Sequence, residues 1–169
     1  MNSAQLELIC GSLDPIVKPY FRGVYSLDAY KLYGNESLQV NKINIYIVNS
    51  QPAASEGEHW LLICRGCRSV FFDSFGKLPT FYGINDTFDF VNDQRVQGNS
   101  RICGLYCVYV ARKIVQSVHL RTHLRSVFSF IALNNNDLQV IDWFRSLPYG
   151  YLLREDCYSN NCISYKQLF

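Results

Sequence analysis

The segment CGLYCVYVARKIVQSV, residues 103–118, constrains the fold more than any other. Laid out at helical spacing, its apolar residues fall on nearly every side rather than on one stripe. A helix of that kind must be enclosed by other elements. The chain has 169 residues, of which 49% are hydrophobic, enough to build such an enclosure within one domain. Low-complexity sequence is scarce, so the composition is that of a compact globular protein. The 12 Tyr and 11 Phe must line a core or a groove.

The enclosing elements are legible in outline. Residues 3–12 are expected to form a short helix, with Ser3 as N-cap and Leu6, Ile9 and Cys10 as its apolar stripe. The stretch YFRGVYSLDAYKLYG reads as loop with short strand pieces. KINIYIVN, residues 42–49, alternates β-branched residues and reads as a strand. HWLLIC and RSVFFDSF follow as two more strands around a turn at Gly66, and residues 84–90 as another short one. Helices are expected over 124–132 and 137–147, the second ended by Pro148 and Gly150. No repeat or linker interrupts the chain. The expected fold is one α+β domain over 1–169, with a small central mixed sheet and a buried helix from residue 103.

Two local features carry chemistry. If Gly66 is the hairpin tip, His59 and Asp73 lie seven residues to either side and face each other across the strands. Cross-strand Cβ atoms are roughly 4.5–5.5 Å apart, within reach of a carboxylate–imidazole hydrogen bond. An imidazole held in that way is a poised general base. The second feature is QGNSRICGLYC. Cys103 stands where a polar loop becomes the apolar helix, and the partial positive charge of a helix N-terminus favours a thiolate. Gly104 leaves room for a carbonyl to approach the backbone. Gln97 lies on the loop leading in, and its amide NH₂ and the Cys103 backbone N–H can donate to a tetrahedral oxyanion. Taken singly, each residue has a plainer reading: Cys103 a core thiol, His59 a strand-end histidine, Asp73 a turn residue, Gln97 a surface glutamine. Their combination favours nucleophilic catalysis.

At GEHW, FFDSFG and VQGNSRICGLYC, in that order, the sequence resembles the adenovirus-type cysteine proteases. It is similar there also to their relatives that process ubiquitin-like proteins such as SUMO. PYFRGVY resembles the N-terminal portion of the adenovirus-type enzymes, and the likeness spans roughly residues 20–118. It implies a thiol endopeptidase with Cys103, His59, Asp73 and Gln97 as catalytic residues, and Trp60 beside the substrate. It also implies a viral maturation protease cutting structural precursors at Gly-containing sites, located in the virion and host nucleus. Compact relatives encoded by DNA viruses and virus-like DNA transposons fit the chain length best. Stimulation by a peptide and by DNA is implied as well, with no cofactor required for the chemistry. Two departures stand out. Asp73 replaces the Glu of adenovirus enzymes, and the Gln-to-Cys spacing is that of the ubiquitin-like-protein proteases. The alternatives are therefore a peptidase or isopeptidase for a ubiquitin-like modifier, or a catalytically inactive binding module.

The remaining signals are weaker. No signal peptide or membrane span is expected, so the protein should act inside the cell, without a membrane, as a monomer. The seven cysteines then read chiefly as thiols. Cys64 and Cys67 could form a zinc site only with Cys157 and Cys162, and C-x₄-C is loose for that, so no metal is expected. From Gln94 to Asn136 there is no acidic residue, while Arg95, Arg101, Arg112, Lys113, Arg121 and Arg125 fall there with His119 and His123. Such a span is either a solvated helix face or a contact to DNA through Arg112, Lys113, Arg121 and Arg125.

Overall fold

A computed structural model describes residues 1–34, 42–55, 59–116, 124 and 126–153. Five strands form one mixed sheet in the spatial order of the sequence: β1 (Phe21–Tyr25), β2 (Ile43–Asn49), β3 (Trp60–Gly66), β4 (Val70–Phe72) and β5 (Phe90–Val91). The outer pairs β1–β2 and β4–β5 are parallel, and β2–β3 and β3–β4 are antiparallel. Residues 45–48 of β2 and 60–64 of β3 are apolar without interruption because both faces of the sheet are covered. Ile45, Ile47, Leu62, Cys64 and Phe72 face one core. The alternate residues Tyr46, Val48, Leu61, Ile63 and Phe71 face a second.

The first core holds α1 (Ser3–Leu8), α3 (Cys103–Gln116) and α4 (Leu133–Arg145). Helix α3 is the all-round apolar segment. It packs on β2, β3 and α4, and every residue from Gly104 to Ala111 is buried, as is Ile114. The second core is closed by α2 (Leu27–Tyr33), through Tyr30, and by Ile84. No helix among the described residues is long and apolar enough to cross a membrane.

Several local expectations need correction. The N-cap of α1 is Asn2 rather than Ser3. Its side chain accepts from the Gln5 N–H while Gln5 reaches back to the Asn2 N–H, a reciprocal capping box. The helix continues as a π-helical turn over Ile9–Leu13, with Leu6, Ile9 and Cys10 buried as their spacing predicts. The stretch expected as loop contains α2, and the strand expected over 84–90 is only β5. Phe128–Ala132 are not helical. Ser129 instead caps that turn from within, its hydroxyl accepting from the Ile131 and Ala132 N–H groups. Helix α4 accordingly begins at Leu133, before the expected position.

The β3–β4 register differs from the expected one in an instructive way. Leu62 pairs with Phe72, Ile63 with Phe71 and Cys64 with Val70, so the hairpin is centred on Cys67 rather than Gly66. Continued outward, this register sets His59 opposite Phe75, with Asp73 as its diagonal neighbour. Moving the centre by one residue moves each partner by two. The same side chains therefore stay on the same face.

Candidate active site

His59 stands just before β3, and Asp73 just after β4, where the pairing has ended. The diagonal is bridged by their side chains: His59 Nε2 lies 2.6 Å from Asp73 Oδ1. Asp73 is fully buried, and the DSFG turn that follows wraps its carboxylate. Oδ1 also accepts from the Phe75 N–H at 2.8 Å. Oδ2 accepts from the Lys77 N–H at 3.1 Å and the Tyr82 hydroxyl at 2.8 Å. Gly76 makes that turn possible. Its φ is +72°, and a Cβ there would stand 2.4 Å from the Gln94 carbonyl carbon. Burial alone would push the Asp73 carboxyl up. The hydrogen bond and charge of His59, with the Phe75 N–H and the Tyr82 hydroxyl, outweigh it and hold the group below its ordinary value. Asp73 is thus an ionised acceptor with both oxygens filled.

The His59 ring is stacked on Phe75, with centroids 4.5 Å apart and planes 27° from parallel. Arg95 lies over the Phe75 ring at 5.2 Å. With Nε2 committed to Asp73, the second ring nitrogen, Nδ1, remains. It is buried and carries no fully formed hydrogen bond. The group that acts on the ring besides Asp73 is the thiol of Cys103. Burial lowers the imidazole, but Asp73 and Cys103 together raise it to about 9. Burial likewise raises the Cys103 thiol. The hydrogen bond and charge of His59, the Trp60 backbone N–H and the N-terminal amine overcome that and pull it below its ordinary value. The two shifts describe one coupled pair that favours imidazolium and thiolate. Cys103 is the first residue of α3, partly open to solvent, where the helix end adds to that preference. Cys10, Cys64 and Cys107, all buried in the core, are shifted upward by burial instead. Cys107 has the core position anticipated for it. The five cysteines among the described residues are free thiols, and no group of three potential metal ligands occurs among those residues. Cys157 and Cys162 lie outside them.

Gln97 is buried, 1% exposed, beside Asp73's neighbour. Its Oε1 accepts from the Ser74 hydroxyl at 2.6 Å, and its Nε2 donates one proton to the Ser100 carbonyl. An amide NH₂ has two protons, so one remains for another acceptor. Trp60 is half-buried; its indole N–H donates to the Met1 carbonyl at 3.0 Å. Gly104 is buried against the same residue: a Cβ there would meet the Met1 Cβ at 3.1 Å. The space left by its missing side chain is therefore taken up by Met1. A groove of about 520 Å³ opens beside His59, lined by Leu27, Pro52, Phe75, Phe81, Tyr82 and Lys77 among others.

The residues of the basic span diverge. Arg112 turns inward, bonding the buried Asp14 carboxylate at 3.1 Å and the Tyr149 hydroxyl at 3.2 Å, with its guanidinium over Trp143. Arg95 donates to the Gln97 and Gly98 carbonyls. Lys113 lies over the Tyr109 ring at 5.4 Å, and Arg101 is exposed. Arg121 and Arg125, with His119 and His123, lie outside the described residues. Sequence reasoning passed over Ser74, Phe75 and Tyr82, and read Arg95 only as part of the basic span. Ser74 and Phe75 were within reach of it, as neighbours of Asp73 in a turn. Tyr82 had no local signal. No family model matches the chain, and no curated protein matches it.

Proposed function

We propose that the protein is a cysteine endopeptidase, with Cys103 as nucleophile, His59 as its acid–base partner, Asp73 as the orienting carboxylate and Gln97 as oxyanion donor. The observation that carries this reading is the held imidazole, with His59 Nε2 2.6 Å from the Asp73 carboxylate. A buried, fully hydrogen-bonded carboxylate holds one nitrogen of His59, and a thiol at a helix start acts on the ring from elsewhere. A core histidine beside a core cysteine would show both groups neutral, each shifted by burial alone.

The chemistry follows from those roles. The Cys103 thiolate attacks the scissile carbonyl carbon, forming a C–S bond and an oxyanion. The second Gln97 N–H and the Cys103 backbone N–H stabilise that charge as it develops. The imidazolium of His59 gives its proton to the leaving nitrogen, the C–N bond breaks, and a thioester remains. Water then attacks the thioester as His59 takes its proton. The C–S bond breaks and the ion pair is restored. Throughout, Asp73 keeps Nε2 protonated and directs Nδ1 to the reacting atoms, the division of labour seen in other triads. The aromatic walls of the groove beside His59, Phe75, Phe81 and Tyr82, suit apolar side chains.

The resemblance at GEHW, FFDSFG and VQGNSRICGLYC supports a finer version: maturation of structural precursor proteins at Gly-containing sites in a viral particle. Profiling with a peptide library tests both levels. Wild type should cleave with Gly favoured beside the scissile bond, and Cys103→Ala should cleave nothing while keeping its melting transition. Cleavage surviving in Cys103→Ala would reject the nucleophile. A preference for a Gly-Gly modifier tail over internal sites would move the reading to a modifier peptidase. An unmodified thiol after treatment with an electrophilic activity probe would indicate an inactive binding module.

A further inference from the structure

The loop that carries Gln97 is gripped from outside by two consecutive residues of α4. Asn136 Nδ2 donates to the Val96 carbonyl at 2.8 Å, on one side of Gln97. On the other side, the Gly98 N–H donates to Asp137 Oδ1 at 3.0 Å. Asp137 Oδ2 accepts from the Ser100 hydroxyl at 2.6 Å and, more weakly, from the Ser100 N–H at 3.4 Å. The Tyr106 hydroxyl, from α3, completes Oδ1 at 2.8 Å. Asp137 is only 5% exposed, so these donors rather than water hold its carboxylate. The approach is close: a Cβ on Gly98 would stand 2.3 Å from Asn134 Oδ1 and 2.7 Å from Asp137 Oδ2.

Ser100 connects this clasp to the chemistry. Its carbonyl accepts from Gln97 Nε2, while Ser74 donates to Gln97 Oε1. Turning the amide over would set its oxygen against the Ser100 carbonyl, two acceptors in contact. The position of Ser100 thus decides which way the Gln97 NH₂ points, and Asp137 holds Ser100 through its hydroxyl and N–H. The geometry points to Asp137 as a positioning residue that sets the oxyanion donor Gln97 through Ser100. This rests on the oxyanion role given to Gln97 above. The contacts to Asp137 span 31 to 39 residues of sequence, so the clasp ties α4 to the nucleophile loop. Asp137 is buried, its carboxylate filled by the loop and by Tyr106, and in this role it acts only through the loop.

A mutant cycle with two readouts tests this. The hydrolysis readout is kcat and KM on a quenched-fluorescent peptide drawn from the library profile. The second is the rate of Cys103 alkylation by iodoacetamide, a displacement at an sp³ carbon that forms no oxyanion. Asp137→Asn should lower kcat by about tenfold or more, short of the roughly 10²–10³-fold expected for losing the donor itself. KM and the alkylation rate should stay within about twofold. In a Gln97→Ala background, Asp137→Asn should change kcat by less than about twofold, because the group it positions is gone. Should Asp137→Asn fail to fold, Ser100→Ala removes the shortest of the bonds and should give a smaller fall in kcat with the same pattern. Equal losses with and without Gln97, or alkylation falling in parallel with kcat, would overturn the positioning role and leave the peptidase reading standing. A wild type that alkylates readily but cleaves no peptide would overturn both.

Discussion

Replacing Asp73 by Asn changes one atom and one charge at the most enclosed point of the site. Of the four donors that the carboxylate satisfies, the Phe75 and Lys77 N–H groups cannot accept, whereas the Tyr82 hydroxyl can turn round and His59 can change tautomer. The Phe75 N–H bond, 2.8 Å against 3.1 Å for Lys77, should keep the amide oxygen at the Oδ1 position, facing His59 and Phe75, with the NH₂ at the Oδ2 position facing Tyr82. His59 retains its orientation and tautomer but loses the negative charge that holds its proton. Its pKa should fall from about 9 toward the ordinary 6.5, and Cys103, no longer facing an imidazolium, should rise toward an ordinary thiol. An ordinary thiol is about 3% ionised at pH 7, so the thiolate population should drop by up to about 30-fold. A more basic thiolate attacks faster, with a Brønsted coefficient of about 0.4–0.5, which brings the net loss in alkylation at pH 7 to roughly two- to fourfold. The assay is iodoacetamide labelling of Cys103 followed by mass spectrometry from pH 5 to pH 10. The two profiles should cross, and at roughly pH 10, where both carry thiolate, the more basic thiolate of Asp73→Asn should be the faster. Superimposed rate–pH profiles would refute the claim that the Asp73 charge sustains the ion pair. The Lys77 N–H, left facing an NH₂, should also cost about 1–3 kcal/mol of stability, read in a urea titration.

Wild-type kcat should follow a bell in pH. Its acid limb should lie below the ordinary thiol range, since Cys103 is lowered, and its basic limb near 9, where His59 loses the proton owed to the leaving group. A basic limb at 6–7 would contradict the raised imidazole. Gln97→Ala should lower kcat by about 10²–10³-fold with little change in KM, and the reverse pattern would make Gln97 a substrate contact. Gly76→Ala should destabilise by more than about 2 kcal/mol, because a side chain at φ +72° would collide with the Gln94–Arg95 peptide; an unchanged urea midpoint would show that the turn can relax. Arg112→Met should cost about 3–5 kcal/mol by leaving the buried Asp14 carboxylate without its ion pair, and a melting temperature equal to wild type would show the pair to be dispensable. Changing Arg121 and Arg125 to Glu should weaken salt-sensitive binding to mixed-sequence duplex, measured by anisotropy, while sparing peptide cleavage. Binding indifferent to both reversals would reject a DNA contact through these two residues.

What the sequence determined by itself is what local pattern encodes. An apolar run on every side of a helical period can only be a buried helix, and α3 is one. The alternating β-branched segment at 42–49 and the apolar run at 60–64 became strands covered on both faces. His59, Asp73, Gln97 and Cys103 could be picked out because turn chemistry and a loop-to-helix junction mark such residues where they stand. Other outcomes were decided by contacts between distant residues. The hairpin centre could not be chosen from alternation, because centres at Gly66 and Cys67 put the same side chains on the same face. His59 and Asp73 therefore meet, but across a diagonal and beyond the last paired residues. Arg112 read as a solvent-facing cation until Asp14, 98 residues away, placed a buried carboxylate beside it. Tyr82 and Asp137 carry no local mark at all. Each became part of the site because a buried carboxylate must be fully hydrogen-bonded, and only the packed chain decides which donors are near enough to do it.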